Sequence, residues 1–158
     1  SSSVRSCGPV LSVPYSELCE ERIRDLWLAY DEVGERFPSL CAEGQVWQPA
    51  LWQSRGLAPH RSLVFRPCGG EALDVAVVIE LCVDREAATF FPALSIRAPA
   101  EARSAKGPLL EPISADLRSL ARAAVAAFRR FRKYSLVGGS CHDYVFEVGE
   151  ELGVSPVE

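Results

Sequence analysis

From residue 16 to residue 36 the apolar positions return every three or four residues, so that Cys19, Ile23, Leu26, Trp27, Tyr30 and Val33 fall on one stripe. That is the period of an α-helix with one face turned to a core. Ser16 supplies an N-cap, and Glu17, Glu20 and Glu21 set carboxylates at the positive end of the helix dipole. Glu20 with Arg24 and Glu32 with Arg36 stand one turn apart on the wet side, and Phe37-Pro38 stops the helix. The period then shifts to two. Residues 45–53 carry strand formers interrupted by Pro49, which cannot donate to a ladder and so predicts an edge strand or a bulge. Residues 62–66 make a short strand, and Pro67-Cys68-Gly69-Gly70 a turn into the next one. On that long strand, residues 74–84, Val75, Val77, Ile79, Leu81 and Val83 share one face and Ala76, Val78, Glu80 and Cys82 the other. Because both faces are largely apolar, the strand belongs in the middle of an antiparallel sheet. Phe90-Phe91-Pro92 reads as a turn before a last strand through Leu94, Ile96 and Ala98.

A Pro- and Ala-rich connection, residues 99–112, leads to a second helix over residues 115–134, with Ser114 as N-cap and Asp116 in its first turn. Leu117, Leu120, Ala121, Ala124, Phe128 and Phe131 gather on one side, and Arg118, Arg122, Arg129, Arg132 and Lys133 on the other. Beyond Gly138-Gly139, the tail fits either a strand through Tyr144, Phe146 and Val148 or a short helix capped by Asp143. The order of elements gives an α+β fold, an antiparallel meander of three to five strands flanked by an N-terminal and a C-terminal helix.

With 158 residues, 48% of them hydrophobic and 24% charged, the chain is long enough for one core and too short for two. Residues 13–150 form that single domain, between a flexible lead, 1–12, and a flexible tail, 151–158. A polar start and the absence of methionine predict an excised or processed segment, whose targeting signals are not visible. No apolar run approaches the ~20 residues a bilayer requires, which excludes membrane insertion. Net charge is −4, so nucleic-acid binding would need a local patch. Residues 114–134 hold six basic and one acidic residue, net +5, and residues 15–37 seven acidic and three basic, net −4.

Six cysteines, at positions 7, 19, 41, 68, 82 and 141, are scattered without a C-x-x-C. With only two histidines, they predict no metal site. Cys19 on the apolar stripe and Cys82 in mid-strand have the placing of buried thiols, which predicts a reducing compartment, nucleus or cytoplasm. Cys141-His142-Asp143 has the residue types of a thiol triad, but consecutive side chains point apart. Gly138-Gly139 lacks the spacing and the following lysine of a phosphate loop. No cofactor is implied.

Helix, meander, an aromatic-proline pair at Phe91-Pro92 and a long loop before the next helix together resemble the RWD domains, the non-catalytic cousins of ubiquitin-conjugating enzymes. Phe91-Pro92 stands where that family often has Tyr-Pro, and the resemblance covers residues 15–134. Pro49 and the 138–150 segment depart from it. The resemblance implies helices packed on one sheet face and a docking role in a larger assembly. Active conjugating enzymes carry their thiol between the last meander strand and the next helix, and residues 99–113 have no cysteine, so conjugating activity is not expected.

Three classes of function follow. The first is a non-catalytic scaffold or adaptor domain that binds protein partners in a multi-subunit intracellular complex, through a sheet edge near Trp47 and Trp52 or through the loop 99–113; tryptophan and arginine dominate interface energies. The alternative is nucleic-acid or anion binding by Arg118, Arg122, Arg129, Arg132 and Lys133 on the basic helix face. A thiol-dependent enzyme centred on Cys141 is the third.

Overall fold

A computed structural model describes residues 3–4, 12–53, 60–68, 74–98, 110–135 and 141–154. The first apolar stripe folds as two helices, α1 (Glu17–Glu21) and α2 (Ile23–Arg36), that meet at Arg22. Ser16 is the N-cap, its hydroxyl accepting from the Cys19 N–H at 3.4 Å. Cys19, Ile23, Leu26 and Val33 are buried, and Trp27 and Tyr30 pack half-buried beside them. The joint has a visible cause in Arg22. Its guanidinium lies 3.8 Å from the Phe91 ring centre, donates to the Thr89 hydroxyl at 3.0 Å and pairs with Asp84 at 3.5 Å and Asp25 at 3.1 Å. A 3₁₀ turn, Pro38–Cys41, follows and buries Leu40 completely.

Four strands then form the meander: β3 (Val46–Gln53), β4 (Arg61–Cys68), β5 (Ala76–Asp84) and β6 (Thr89–Arg97), each antiparallel to the next. On the outer side of β3 lies the two-residue β7 (Ile113–Ser114). Beside the end of β5, β1 (Ser3–Val4) pairs with Val83 and Asp84. A separate ribbon joins β2 (Ser12–Pro14) to β8 (Lys133–Ser135). Two helices complete the chain, α3 (Leu117–Arg129) and α4 (Cys141–Glu151). The fold is therefore α+β, an antiparallel sheet with helices on both the N-terminal and the C-terminal side of it in sequence.

Alternation along the strands divides the sheet into two faces. Trp47, Leu51, Leu63, Phe65, Val77, Ile79, Leu81, Val83 and Phe90 join the helices in one cluster with Leu26, Leu120, Phe128 and Tyr144. Each such side chain contributes on the order of 2 kcal/mol through burial. The Tyr144 hydroxyl donates to the Ala124 carbonyl at 2.7 Å, fixing α4 against α3. Val64, Ala76 and Val78, with Trp52 against them, form a second, smaller cluster on the other face. The central position of β5 is as expected, and all nine of its residues are buried.

Pro49 also sits as expected, on the outermost long strand. Its carbonyl accepts from Leu110 N–H at 3.2 Å, away from β4. In an antiparallel ladder a residue's N–H and C=O point the same way, so the missing donor faces the outer edge and breaks no β3–β4 bond.

Several boundaries differ from the sequence expectation. Phe90, Phe91 and Pro92 are not a turn but lie inside β6, opposite Val83, Cys82 and Leu81. The reversal comes earlier, at residues 85–88, where Ala88 takes a positive φ of 52°. Pro67 and Cys68 belong to β4; Gly69-Gly70 and residues 99–109 lie outside the described residues, as does Gly138-Gly139. The second long helix is capped by Asp116 rather than Ser114, which sits in β7. It ends at Arg129 rather than near 134, because the chain turns to bury Phe131 and Tyr134 and to pair β8 with β2. The tail is helical. Asp143 stands in the first turn of α4, and Gly153, with φ +77°, closes the end as Val154 N–H returns to the Gly149 carbonyl at 2.7 Å. That left-handed closure is the role glycine fills at helix ends.

Candidate functional site

The early end of α3 decides where the basic residues go. Arg118 and Arg122 are exposed on its outer face, near Asp116, whose carboxyl is held below its ordinary range by hydrogen bonds from Ser119. Arg129 is committed to Glu20 of α1, Nη2 to Oε1 at 2.8 Å. The same Glu20 accepts from the Tyr15 hydroxyl through its other oxygen. Arg130 bridges to α4, pairing with Glu147 at 2.7 Å and with Glu151. Arg132 and Lys133 lie past the helix, at and beside β8. The expected single basic face of a helix over 115–134 is therefore corrected: two of its five cations are off the helix and a third is neutralised within the fold.

What the turn creates is a cleft of about 450 Å³ between the end of α3, β8 and α4, lined by Arg130, Phe131, Arg132, Lys133, Asp143 and Glu147. That volume lies within the range of ligand-binding pockets. Its frame is held from both sides. Phe131 is buried and meets Tyr144 edge-on at 6.0 Å. The Arg132 carbonyl accepts from Tyr15 N–H at 2.8 Å, while its guanidinium stands 5.8 Å from the Tyr15 ring centre. Lys133 is opposite Pro14 in the β2–β8 ribbon. Both Arg132 and Lys133 are exposed, and neither makes an ion pair with a carboxylate among the described residues.

The two tryptophans expected at the sheet edge part company. Trp47 is fully buried in the main core beside Phe65, its indole N–H donating to the Ala115 carbonyl at 2.7 Å. It is a core residue, which corrects its expected place on a contact surface. Trp52 is half-buried on the opposite sheet face, edge-on to His60 at 6.5 Å.

Cysteine chemistry gains no support from the geometry. Cys141 is buried and disulfide-bonded, to a partner outside the described residues, so the sequential Cys141-His142-Asp143 offers no thiolate. A disulfide marks an oxidising environment, against the expected reducing compartment; Cys19, Cys41, Cys68 and Cys82 form no disulfide. Burial, with the nearby Asp116 charge, pushes the exposed Cys41 thiol up in pKa, the opposite of a reactive thiol. Burial likewise raises Tyr134, to about 12, and Tyr144 well above an ordinary phenol. No cluster of three or more histidine, cysteine, aspartate or glutamate residues is placed to hold a metal ion among those described, and no helix there is long and apolar enough to cross a membrane.

The sequence reading missed one polar cluster. Glu80 has no exposed surface, yet its Oε1 receives His60 Nε2 at 2.6 Å and Ser62 Oγ at 3.1 Å, and its Oε2 receives Arg97 at 3.2 Å. The available signal was one acid among Ala76, Val78 and Cys82 on an otherwise apolar face, which requires a buried countercharge. Ser62 and His60 both address Glu80 rather than each other, so the geometry does not align a nucleophile with a base.

Comparison of the chain with protein families, with characterised proteins and with solved structures finds no match.

Proposed function

We propose that this domain is a non-catalytic interaction module that holds a protein partner within a larger assembly. The observation that carries this reading is the charged cleft at the end of α3, which presents Arg132 and Lys133 on a braced frame. Exposed arginine beside a buried aromatic is a common make-up for an interface anchor. Cys141 is fully buried and the Cys41 thiol is raised in pKa, so neither supports the thiol-enzyme reading. Helix, meander and helix follow in the order that prompted the RWD resemblance, which supports a docking role for the same reason.

Nucleic-acid binding is the weaker reading. Arg118 and Arg129 stand roughly 16 Å apart along α3, Arg129 is closed by Glu20, and Arg130 by Glu147 and Glu151. A nuclear or cytoplasmic location goes with the four cysteines that form no disulfide and requires the Cys141 disulfide to be reduced there, which thiol labelling of the protein in intact cells would read out.

Affinity capture from cell extract, with and without nuclease, tests the main reading. Stoichiometric protein partners that survive nuclease are expected. Capture that disappears with nuclease, or with Arg118, Arg122, Arg129 and Arg132 replaced by Glu and restored by added nucleic acid, would transfer the function to nucleic-acid binding.

A further inference from the structure

We infer that the cleft between α3, β8 and α4 receives an acidic segment of the partner polypeptide, with Arg132 and Lys133 taking its carboxylates. The inference rests on the interaction reading above and names the chemistry of the partner. Charge bookkeeping within the cleft points to it. Arg130 is saturated by Glu147 and Glu151, which lock α3 to α4, so it shapes the wall rather than waiting for a ligand. Arg132 and Lys133 are left exposed, with no carboxylate partner among the described residues. Both are pinned at the backbone by pairing with β2 and Tyr15, so ordering their base costs little on binding, and only the distal side chain must be fixed. A charged hydrogen bond to each is the strong kind.

Two neighbouring cations suit a short anionic run. Glu147 on the facing wall is already paired with Arg130, and Arg118 and Arg122 lie apart on the outer face of α3. A continuous phosphate backbone would therefore find no further free cations in the cleft among the described residues, whereas a polypeptide can limit its carboxylates to the two that are met.

The test is fluorescence anisotropy of a labelled peptide with two adjacent glutamates flanked by glycines and serines, at low salt, with competition by inorganic phosphate and by oligothymidylate. Saturable peptide binding is expected. Arg132→Glu with Lys133→Glu should weaken it about 10-fold or more, the value of one or two charged hydrogen bonds. The milder Arg132→Gln with Lys133→Gln should act in the same direction with an unchanged melting temperature, and Arg118→Glu with Arg122→Glu should leave it within error. No saturable peptide binding, binding indifferent to residues 132 and 133, or oligothymidylate held more tightly at the same residues would overturn the inference. If nuclease-resistant partners are still captured by the Arg132→Glu, Lys133→Glu protein, the cleft assignment fails while the interaction reading stands.

Discussion

Arg129 of α3 sets its guanidinium 2.8 Å from the carboxylate of Glu20 on α1, so the most basic and the most acidic stretches of the chain meet and neutralise one another. The charge imbalance that separates residues 114–134 from residues 15–37 is thus partly a packing device. It is a mild one: the side chains are 57% and 42% exposed, and exposed pairs contribute about 0.2–1 kcal/mol. A double-mutant cycle of Arg129→Ala and Glu20→Ala, followed by urea unfolding, should return a coupling in that range that shrinks with added salt. A coupling near zero at low salt would show the pair to be incidental.

Glu80 is where polar chemistry matters most to stability. Its carboxylate is fully buried between β4, β5 and β6 and answers Arg97, His60 and Ser62. Glu80→Ala removes the charge that offsets the Arg97 guanidinium, and breaking a buried pair from one side costs about 3–5 kcal/mol. The expected result is a protein that unfolds at much lower urea or does not fold at 37 °C. A midpoint close to wild type would mean that water or other groups already solvate Arg97.

Asp116 links the α3 cap to pH. Its carboxylate accepts from Ser119 N–H at 2.8 Å and from the Ser119 hydroxyl at 2.7 Å, and these bonds hold its pKa below the unfolded value. A depressed carboxyl pKa stabilises the fold above the unfolded pKa of roughly 4, and that stability is lost as pH falls through the folded pKa. Asp116→Ala should therefore cost about 1 kcal/mol at neutral pH and progressively less in acid. Asp116→Asn should keep most of the cap and lose this pH dependence.

Ala88 occupies the left-handed region, φ 52°, in the β5–β6 reversal, at a cost of about 1–2 kcal/mol for a residue with a Cβ. Ala88→Gly removes that cost and adds some chain entropy to the unfolded state, for a net gain of about 0.5–1 kcal/mol by thermal unfolding. Destabilisation would indicate that the alanine methyl makes a packing contact that matters.

The helix over residues 16–36 and the central place of β5 were legible because their burial is periodic, and period is a local property of the sequence. Phe90-Phe91-Pro92 misled for an equally physical reason. Proline ordinarily breaks strands, but β6 is paired only with β5 among the described strands, and an edge strand tolerates proline. The end of α3 was hidden because Phe131 continues the 100° stripe by coincidence; what stops the helix is the pairing of β8 with β2, more than a hundred residues earlier in the chain. The cleft depends on that same long-range event. Arg132 and Lys133 could be named from the sequence, whereas their separation from Arg118 and Arg122, and the arrival of Asp143 and Glu147 opposite them, could not. Trp47 shows the converse: its β-strand was predicted, but which of the two sheet faces would be covered by the helices was not, and Trp47 lies on that face.

Native mass spectrometry of nuclease-treated material captured on the wild-type domain tests the central claim most directly. The account predicts a discrete complex whose added mass is protein, at fixed stoichiometry. The free domain alone after nuclease treatment, with nucleic acid recovered only from the untreated sample, would contradict it.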